Sequence, residues 1–269
     1  MKHPLDIAVV TDEIADSLAE ALDLVRDWGI TRVELREGGQ ARYPDFTPEE
    51  VAMLEAARRD GVQVTAVSPG LFKGSILDAA KLTAEMEALP KSLELANRLG
   101  CPTLIVFGFE RFKGEGDDLR PRVVEAFRRI AETVAEAGMS VIVENEPKFW
   151  VDLPEDSAAM VRDVAHPAFR LNWDPANLHW GGVLPTYEGF RAVRPYLGGL
   201  HVKDYYPTNP FAPWCAVGEG TTPWAEILRW AVEEADLTHV TLETHAWPRT
   251  ETSRRSLDWM RARIAELSA

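Results

Sequence analysis

Cysteine is almost missing: Cys101 and Cys215 are the only two. They cannot build a disulfide framework, and no CxxC spacing offers zinc or redox chemistry. Long apolar runs are missing too, and stretches such as 104–107 are far too short to cross a bilayer. The first residues, Met1-Lys2-His3-Pro4-Leu5-Asp6, place an acid where a signal peptide needs its apolar core, so a cytoplasmic protein is expected. Positive charge is in deficit: 29 Lys and Arg against 43 Asp and Glu leave a net charge of −14. A body this acidic repels phosphate backbones, which argues against a nucleic-acid partner. Neither GxGxxG nor GxxxxGK[ST] occurs, which removes the phosphate loops of dinucleotide and P-loop folds. No Ser/Gly tract or like-charge block divides the chain, so residues 1–269 read as one domain.

What is present is an ordinary globular composition, 46% hydrophobic and 27% charged, too apolar for disorder. Short β-branched runs at 7–11, 32–35, 62–67, 103–107, 140–143, 169–173, 200–203 and 239–242 alternate with helical patterns. The helical patterns fall at about 16–28, 47–60, 79–99, 119–137, 155–165, 186–196, 222–235 and 250–268. Thr47-Pro48-Glu49-Glu50 supplies a helix cap, a first-turn proline and two acids at the positive end of a helix dipole. Gly29, Gly61, Gly100 and Gly138 each follow a helix and precede a strand, the place of a left-handed cap. Pro90 is expected to kink the third helix or split it. Strands apolar on both faces and joined by helices are parallel and doubly buried. Eight such units predict an α/β fold, a (β/α)₈ TIM barrel, ahead of a doubly wound sheet.

In a barrel the chemistry stands at the carboxyl ends of the strands. The fifth strand ends Val143-Glu144-Asn145-Glu146, the sixth Asn172-Trp173-Asp174, the seventh runs His201-Val202-Lys203, and the eighth ends Leu242-Glu243-Thr244-His245. With a side-chain period of two, Val143, Val202 and Leu242 face the helices, so Glu144, His201 and Glu243 point into the mouth. Asp174 joins them, with Trp173 packed outward. Three carboxylates and an imidazole in one space repel unless a cation neutralises them. Hard oxygen ligands with one nitrogen suit Mn, Mg, Zn or Co as a divalent ion.

The strings VIVENEP, LNWDPANLHWGG, GLHVKD and TLETH, with the early VELR and the late GEG, resemble the sugar phosphate isomerase/epimerase superfamily, also called xylose isomerase-like or AP endonuclease family 2 barrels. The resemblance spans nearly the whole chain and rests on the order and spacing of short motifs. It implies one divalent metal held by Glu144, Asp174, His201 and Glu243, with Glu144 and Glu243 as the catalytic proton acceptor and donor. Two family positions differ: Asn177 stands where related ketose 3-epimerases have a His, and Pro207 where they have an Arg. Lys203 and His179 are candidate replacements for holding substrate hydroxyls.

Further candidates for substrate binding are Asn177, His245, Glu34, Trp180 and Trp247. Glu34 and Arg36 flank outward-facing Leu35 and so point inward, where a structural ion pair is favoured over a substrate contact. Lys203 is read equally as a substrate contact or as the salt-bridge partner of a neighbouring carboxylate such as Asp204. Pro147 suggests that Glu146 has turned away. His3, His166 and His239 are expected to be non-catalytic. Of Trp150, Trp180, Trp214, Trp247, Phe149 and Phe211, all in loops after the last four strands, one or two are expected to touch ligand. The cations noted near the mouth, Lys203, Arg249, Arg111 and Lys113, are few, so an unphosphorylated sugar, cyclitol or sugar acid is expected.

These readings converge on a metal-dependent isomerase or epimerase of a sugar, cyclitol or related hydroxy-carbonyl compound, working by proton transfer through a metal-stabilised enediolate. A dehydratase or lyase on the same scaffold shares the first step. A non-catalytic sugar-binding barrel is opposed by the intact ligand set. An AP endonuclease-like nuclease is opposed by the absence of His at the ends of the third and fourth strands. A homodimer is compatible with all of these.

Overall fold

The computed structural model describes residues 5–208 and 213–268; His3 and Phe211 lie outside them. Seven of the apolar runs become β1 (Asp6–Val10), β2 (Arg32–Leu35), β3 (Gln63–Val67), β4 (Thr103–Phe107), β5 (Ser140–Glu144), β6 (Phe169–Trp173) and β7 (Leu197–Val202). A short antiparallel ribbon follows, β8 (Asp204–Tyr205) with β9 (Trp214–Cys215), and the eighth run is β10 (His239–Leu242). The barrel strands close a ring in the order β1-β10-β7-β6-β5-β4-β3-β2, every pairing parallel. Around it lie α1 (Leu18–Asp27), α2 (Pro48–Arg59), α3 (Ala79–Arg98), α4 (Arg120–Glu136), α5 (Pro154–Val164), α6 (Pro175–Trp180), α7 (Tyr187–Val193), α8 (Trp224–Glu234) and α9 (Arg249–Ser268). Among the described residues no helix is long and apolar enough to cross a membrane. Cys101 and Cys215 are both free.

The core has two parts. The larger lies between strands and helices, where Val141 and Val143 of β5 share one cluster with Phe127, Ile130 and Val134 of α4. The smaller lies inside the ring and joins Ala66, Ile105 and Ile142. Each Val so buried contributes about 1.5–3 kcal/mol. A slip of β5 by one residue would put Ile142 and Glu144 among the helices, so the apolar alternation fixes where Glu144 points.

Local signals hold at the helix ends. Thr47 and Glu50 form a reciprocal capping box, and Gly29, Gly61, Gly100 and Gly138 all take positive φ. Two boundaries differ from expectation and one helix is added. Pro90 does not split its helix: α3 runs unbroken over 20 residues, with Pro90 on the exposed side where water can reach the backbone its ring leaves unpaired. β7 begins at Leu197 rather than 200. Gly198 and Gly199 read as loop, yet a Cβ at Gly199 would stand 2.5 Å from Asn172 Oδ1 and 2.9 Å from Ile142 Cδ1, so the crowded barrel interior requires a strand without side chains there. The six-residue α6 has too little period to be read as a helix; its signal is only Asp174 as cap and Pro175 in the first turn.

Candidate functional site

Asp174 closes β6 and opens α6. Its Oδ1 accepts hydrogen bonds from the backbone N–H of Ala176 (2.8 Å) and Asn177 (2.9 Å), which leaves Oδ2 to face the barrel mouth. Asn145, one residue past Glu144, clamps the neighbouring strand end: its Oδ1 accepts from Asp174 N–H at 2.6 Å and its Nδ2 donates to Asp174 O at 3.0 Å. Asn177 Nδ2 donates to Glu144 Oε1 at 3.1 Å. On β7, His201 Nε2 lies 3.0 Å from Glu34 Oε2, so Nδ1 is the nitrogen that faces the other acids. A carboxylate behind an imidazole fixes its tautomer and ring orientation.

Glu144, Asp174, His201 and Glu243 are all buried, and one ligand-type atom from each lies within 4.8 Å of the others. At an effective dielectric of 20, each carboxylate pair at this spacing repels by roughly 3 kcal/mol. Three such pairs approach the whole net stability of a typical domain, about 5–15 kcal/mol. Positive charge must therefore be supplied. Part comes from Lys203, whose buried Nζ lies 2.7 Å from Asp174 Oδ2 and 3.0 Å from Glu243 Oε2. Burial pulls the Lys203 ammonium down in pKa, but Asp174, Glu243 and Glu144 raise it above the ordinary value. Burial likewise opposes the charged form of His201, and Glu34, Glu144 and Glu243 together hold it well above its usual range.

Glu243 is the most compensated acid. Its Oε1 accepts from Arg36 Nη1 at 2.7 Å and lies 3.3 Å from His245 Nε2; its Oε2 meets Lys203 and His201. Against the upward push of burial, Lys203, His245 and His201 hold it well below the usual carboxylate range. Two polar atoms of the quartet are buried without a hydrogen bond, Asp174 Oδ2 and His201 Nδ1. Both atoms are held only by ion-pair contacts, Oδ2 with Lys203 and Nδ1 with Glu243, which a divalent ion could take over once His201 gives up a proton, so the donor set fits a metal.

The pocket above these residues has a volume of about 250 Å³, below the range common for drug-sized ligands, about 300–1,000 Å³. Its wall includes Glu34, Lys203 and His245 from the candidate substrate set. Glu34 is occupied with His201, and Asn177 with Glu144, so both position other side chains. Arg36 does not pair with Glu34; it binds Asp12, Glu13 and Glu243. Lys203 does form salt bridges to carboxylates, but to Asp174 and Glu243 rather than to Asp204. Asp204 accepts instead from the backbone N–H of Tyr205, Gly218, Gly220 and Thr222, and so folds the Gly218-Glu219-Gly220 turn around itself.

The structure does not bring His179, Trp180 or Trp247 to the wall. His179 bonds Thr222 Oγ1 and meets the Tyr205 ring, while Trp180 and Trp247 are 52% and 70% exposed. Phe107 is the wall's aromatic among the described residues. Glu146, expected to turn away, lines the pocket; burial first, then Glu144, pushes it up to about 7. Arg111 is spent on Asp117 and Trp150, and Arg249 on Asp16 and Trp247. Sequence reasoning missed Asp12 and Glu13, although they follow β1 just as the other acids follow their strands. It also missed Arg42, Ser68 and Lys73, which line the pocket from loops without periodicity.

The family described as xylose isomerase-like TIM barrel matches residues 22–263. The 2-epi-5-epi-valiolone 7-phosphate 2-epimerase of Actinoplanes sp. is 29% identical over 215 residues, covering 77% of this chain and 75% of that protein. Among solved structures, the probable 3-DHS dehydratase AsbF of Bacillus anthracis superposes with a TM-score of 0.79 at 18% identity, over 98% of this chain and 99% of its own. The IolI protein with a bound zinc atom superposes with a TM-score of 0.81 at 14% identity, over 98% and 99%. Fold, strand order and family match agree: the chain belongs to the xylose isomerase-like TIM barrel family.

Proposed function

We propose that this protein is a divalent-metal-dependent isomerase or epimerase of a small sugar, cyclitol or related hydroxy-carbonyl compound. The observation that carries the reading is the convergence of Glu144, Asp174, His201 and Glu243 from four adjacent strands, with two of their ligand-type atoms left without hydrogen bonds. These four residues would hold the ion, which supplies positive charge against an oxyanion developing beside the reacting carbon. The remaining work falls to the chain. Glu144 and Glu243 come from the two ends of the β5-β6-β7-β10 arc and so flank a ligand seated between them. One takes the proton from the carbon beside the carbonyl and the other returns one. Asn177 holds Glu144 Oε1 in place, and Arg36, His245 and Lys203 keep Glu243 ionised.

A dehydratase is the second reading, and Lys203 is what favours it: a buried ammonium inside the pocket can donate a hydrogen bond to a departing hydroxyl and stabilise its developing charge. Two measurements test the proposal. Elemental analysis of the native protein should find about one divalent ion per chain, lost in Asp174→Ala and His201→Ala; retention by both variants overturns the ligand assignment. Incubation of the Mn-loaded protein with ketoses and inososes in D₂O should place deuterium on the carbon beside the carbonyl, read by NMR. Turnover without exchange and without a primary isotope effect there overturns the proton transfer. Loss of water from the product identifies the dehydratase.

A further inference from the structure

The four converging residues occupy one arc of the ring, β5-β6-β7-β10. Across the mouth stand β2 and β3, which directly face β6 and β7 in the ring order. The wall on that side is built by Arg42 from the loop after β2 and by Ser68 and Lys73 from the loop after β3. Both cations stand on anchored backbone. Residues 36–43 form a small hairpin through an antiparallel bridge between Glu37 and Arg42, with Tyr43 N–H donating to Arg36 O at 2.8 Å. Next to Arg42, the Tyr43 ring is buried and its hydroxyl donates to Ser92 O in α3. The guanidinium lies against Gly70, at φ +79°, where a Cβ would come within 2.6 Å of Arg42 Nε. The Lys73 segment is bonded to the chain after β4 through Phe107 N–H to Leu71 O (3.1 Å) and Phe109 N–H to Phe72 O (2.9 Å). Lys73 Nζ sits 3.7 Å from the centroid of the Phe107 ring.

The bonding capacity of these groups is underused. Arg42 Nε is buried with no acceptor, and Arg42 Nη2 reaches Ser68 Oγ only at 3.5 Å. The acids nearest the two cations are distant partners, Glu37 at 3.4 Å from Arg42 and Glu146 at 3.7 Å from Lys73. A charge-assisted bond to an oxyanion closes to about 2.7–2.9 Å. Rigid, under-bonded cations on one wall of a small pocket are what an anionic group recognises without paying to order them.

We infer that Arg42, Ser68 and Lys73 form an oxyanion subsite opposite the carboxylate–imidazole arc, and that the substrate carries a carboxylate or phosphate there. This rests on the proposed function, in which the reacting carbons lie over that arc. It narrows the expectation of an unphosphorylated sugar, cyclitol or sugar acid, which was drawn from the cations of other loops: a carboxylate at the subsite keeps that expectation and a phosphate replaces it. Three probes share one ring and differ at a single carbon: D-glucose, D-glucuronate and D-glucose 6-phosphate. Calorimetry on metal-free and on Mn-loaded protein, with inorganic phosphate as a fourth probe, should show at least tenfold tighter binding of an anionic probe than of glucose. Arg42→Gln and Lys73→Gln, checked for folding by circular dichroism, should each remove about tenfold of that advantage and leave glucose binding unchanged. The ratio of glucuronate to glucose 6-phosphate affinity tells carboxylate from phosphate. Equal binding of neutral and anionic probes, no binding of any anion in either metal state, or an advantage untouched by both variants overturns the subsite. Because the metal-free arm reads anion binding alone, loss of the metal assignment leaves this result interpretable.

Discussion

The two ends of the barrel make opposite use of the same side chains. At the mouth, His201 on β7 is ringed by Glu34, Glu144 and Glu243 and is held well above its usual pKa. At the base, His239 opens the adjacent strand β10, and there burial and the nearby Arg32 push it down to about 4 despite Asp6. The base also holds the larger cavity, about 600 Å³ against 250 Å³. That cavity is lined by Arg32, Arg58, Thr65 and His239 among others, with no carboxylate side chain on its wall among the described residues. Convergence of complementary charge, and not size, separates the mouth from the base.

The largest effect is expected from Glu144→Gln. It keeps shape and a neutral oxygen but removes one of the two proposed proton-transfer groups, and positioned proton transfer contributes about 10²–10⁴-fold to rate. Turnover measured by steady-state kinetics should fall by that factor while the melting temperature holds. A variant that keeps its rate would erase the distinction between the two ends.

The base is tested through pH. His239 has a folded pKa below the ordinary 6.5, so the unfolded chain takes up a proton that the folded chain refuses. Its contribution is therefore intact above pH 6.5 and is lost as pH falls toward 4. Between pH 7 and pH 5 this group should cost about 2 kcal/mol in urea unfolding. His239→Gln should flatten that part of the profile and leave metal content unchanged. An unchanged slope would show that His239 titrates normally.

The smallest effect belongs to the rim. Trp247 stacks over Arg249 and is largely exposed, so Trp247→Ala should alter stability by no more than about 0.5 kcal/mol. A Michaelis constant raised severalfold would instead extend the mouth outward to this loop.

The four inward residues were legible because each follows an apolar strand whose period of two fixes its phase, and a parallel ring then brings consecutive strand ends together. Asp174 carried the added mark of Asp-Pro at a helix start. The partners of these residues were not legible. Which carboxylate Lys203 meets depends on the stagger of β6, β7 and β10, which leaves Asp204 to the backbone of the following turn. Arg42 reaches the pocket only because Tyr43 is buried beneath α3, a contact 49 residues away in sequence. Lys73 needs the Phe107 ring beneath it. Loops without periodicity gain their direction from such distant anchors, and a single sequence does not display them.

The position of Lys203 bears on the order in which the protein matures. Small metal-dependent folds whose ligands repel one another stay unfolded until the ion arrives. Here an ammonium carried by the chain already bridges Asp174 and Glu243. The newly made polypeptide can therefore bring the ends of β6 and β10 together, and finish folding, with no ion in place.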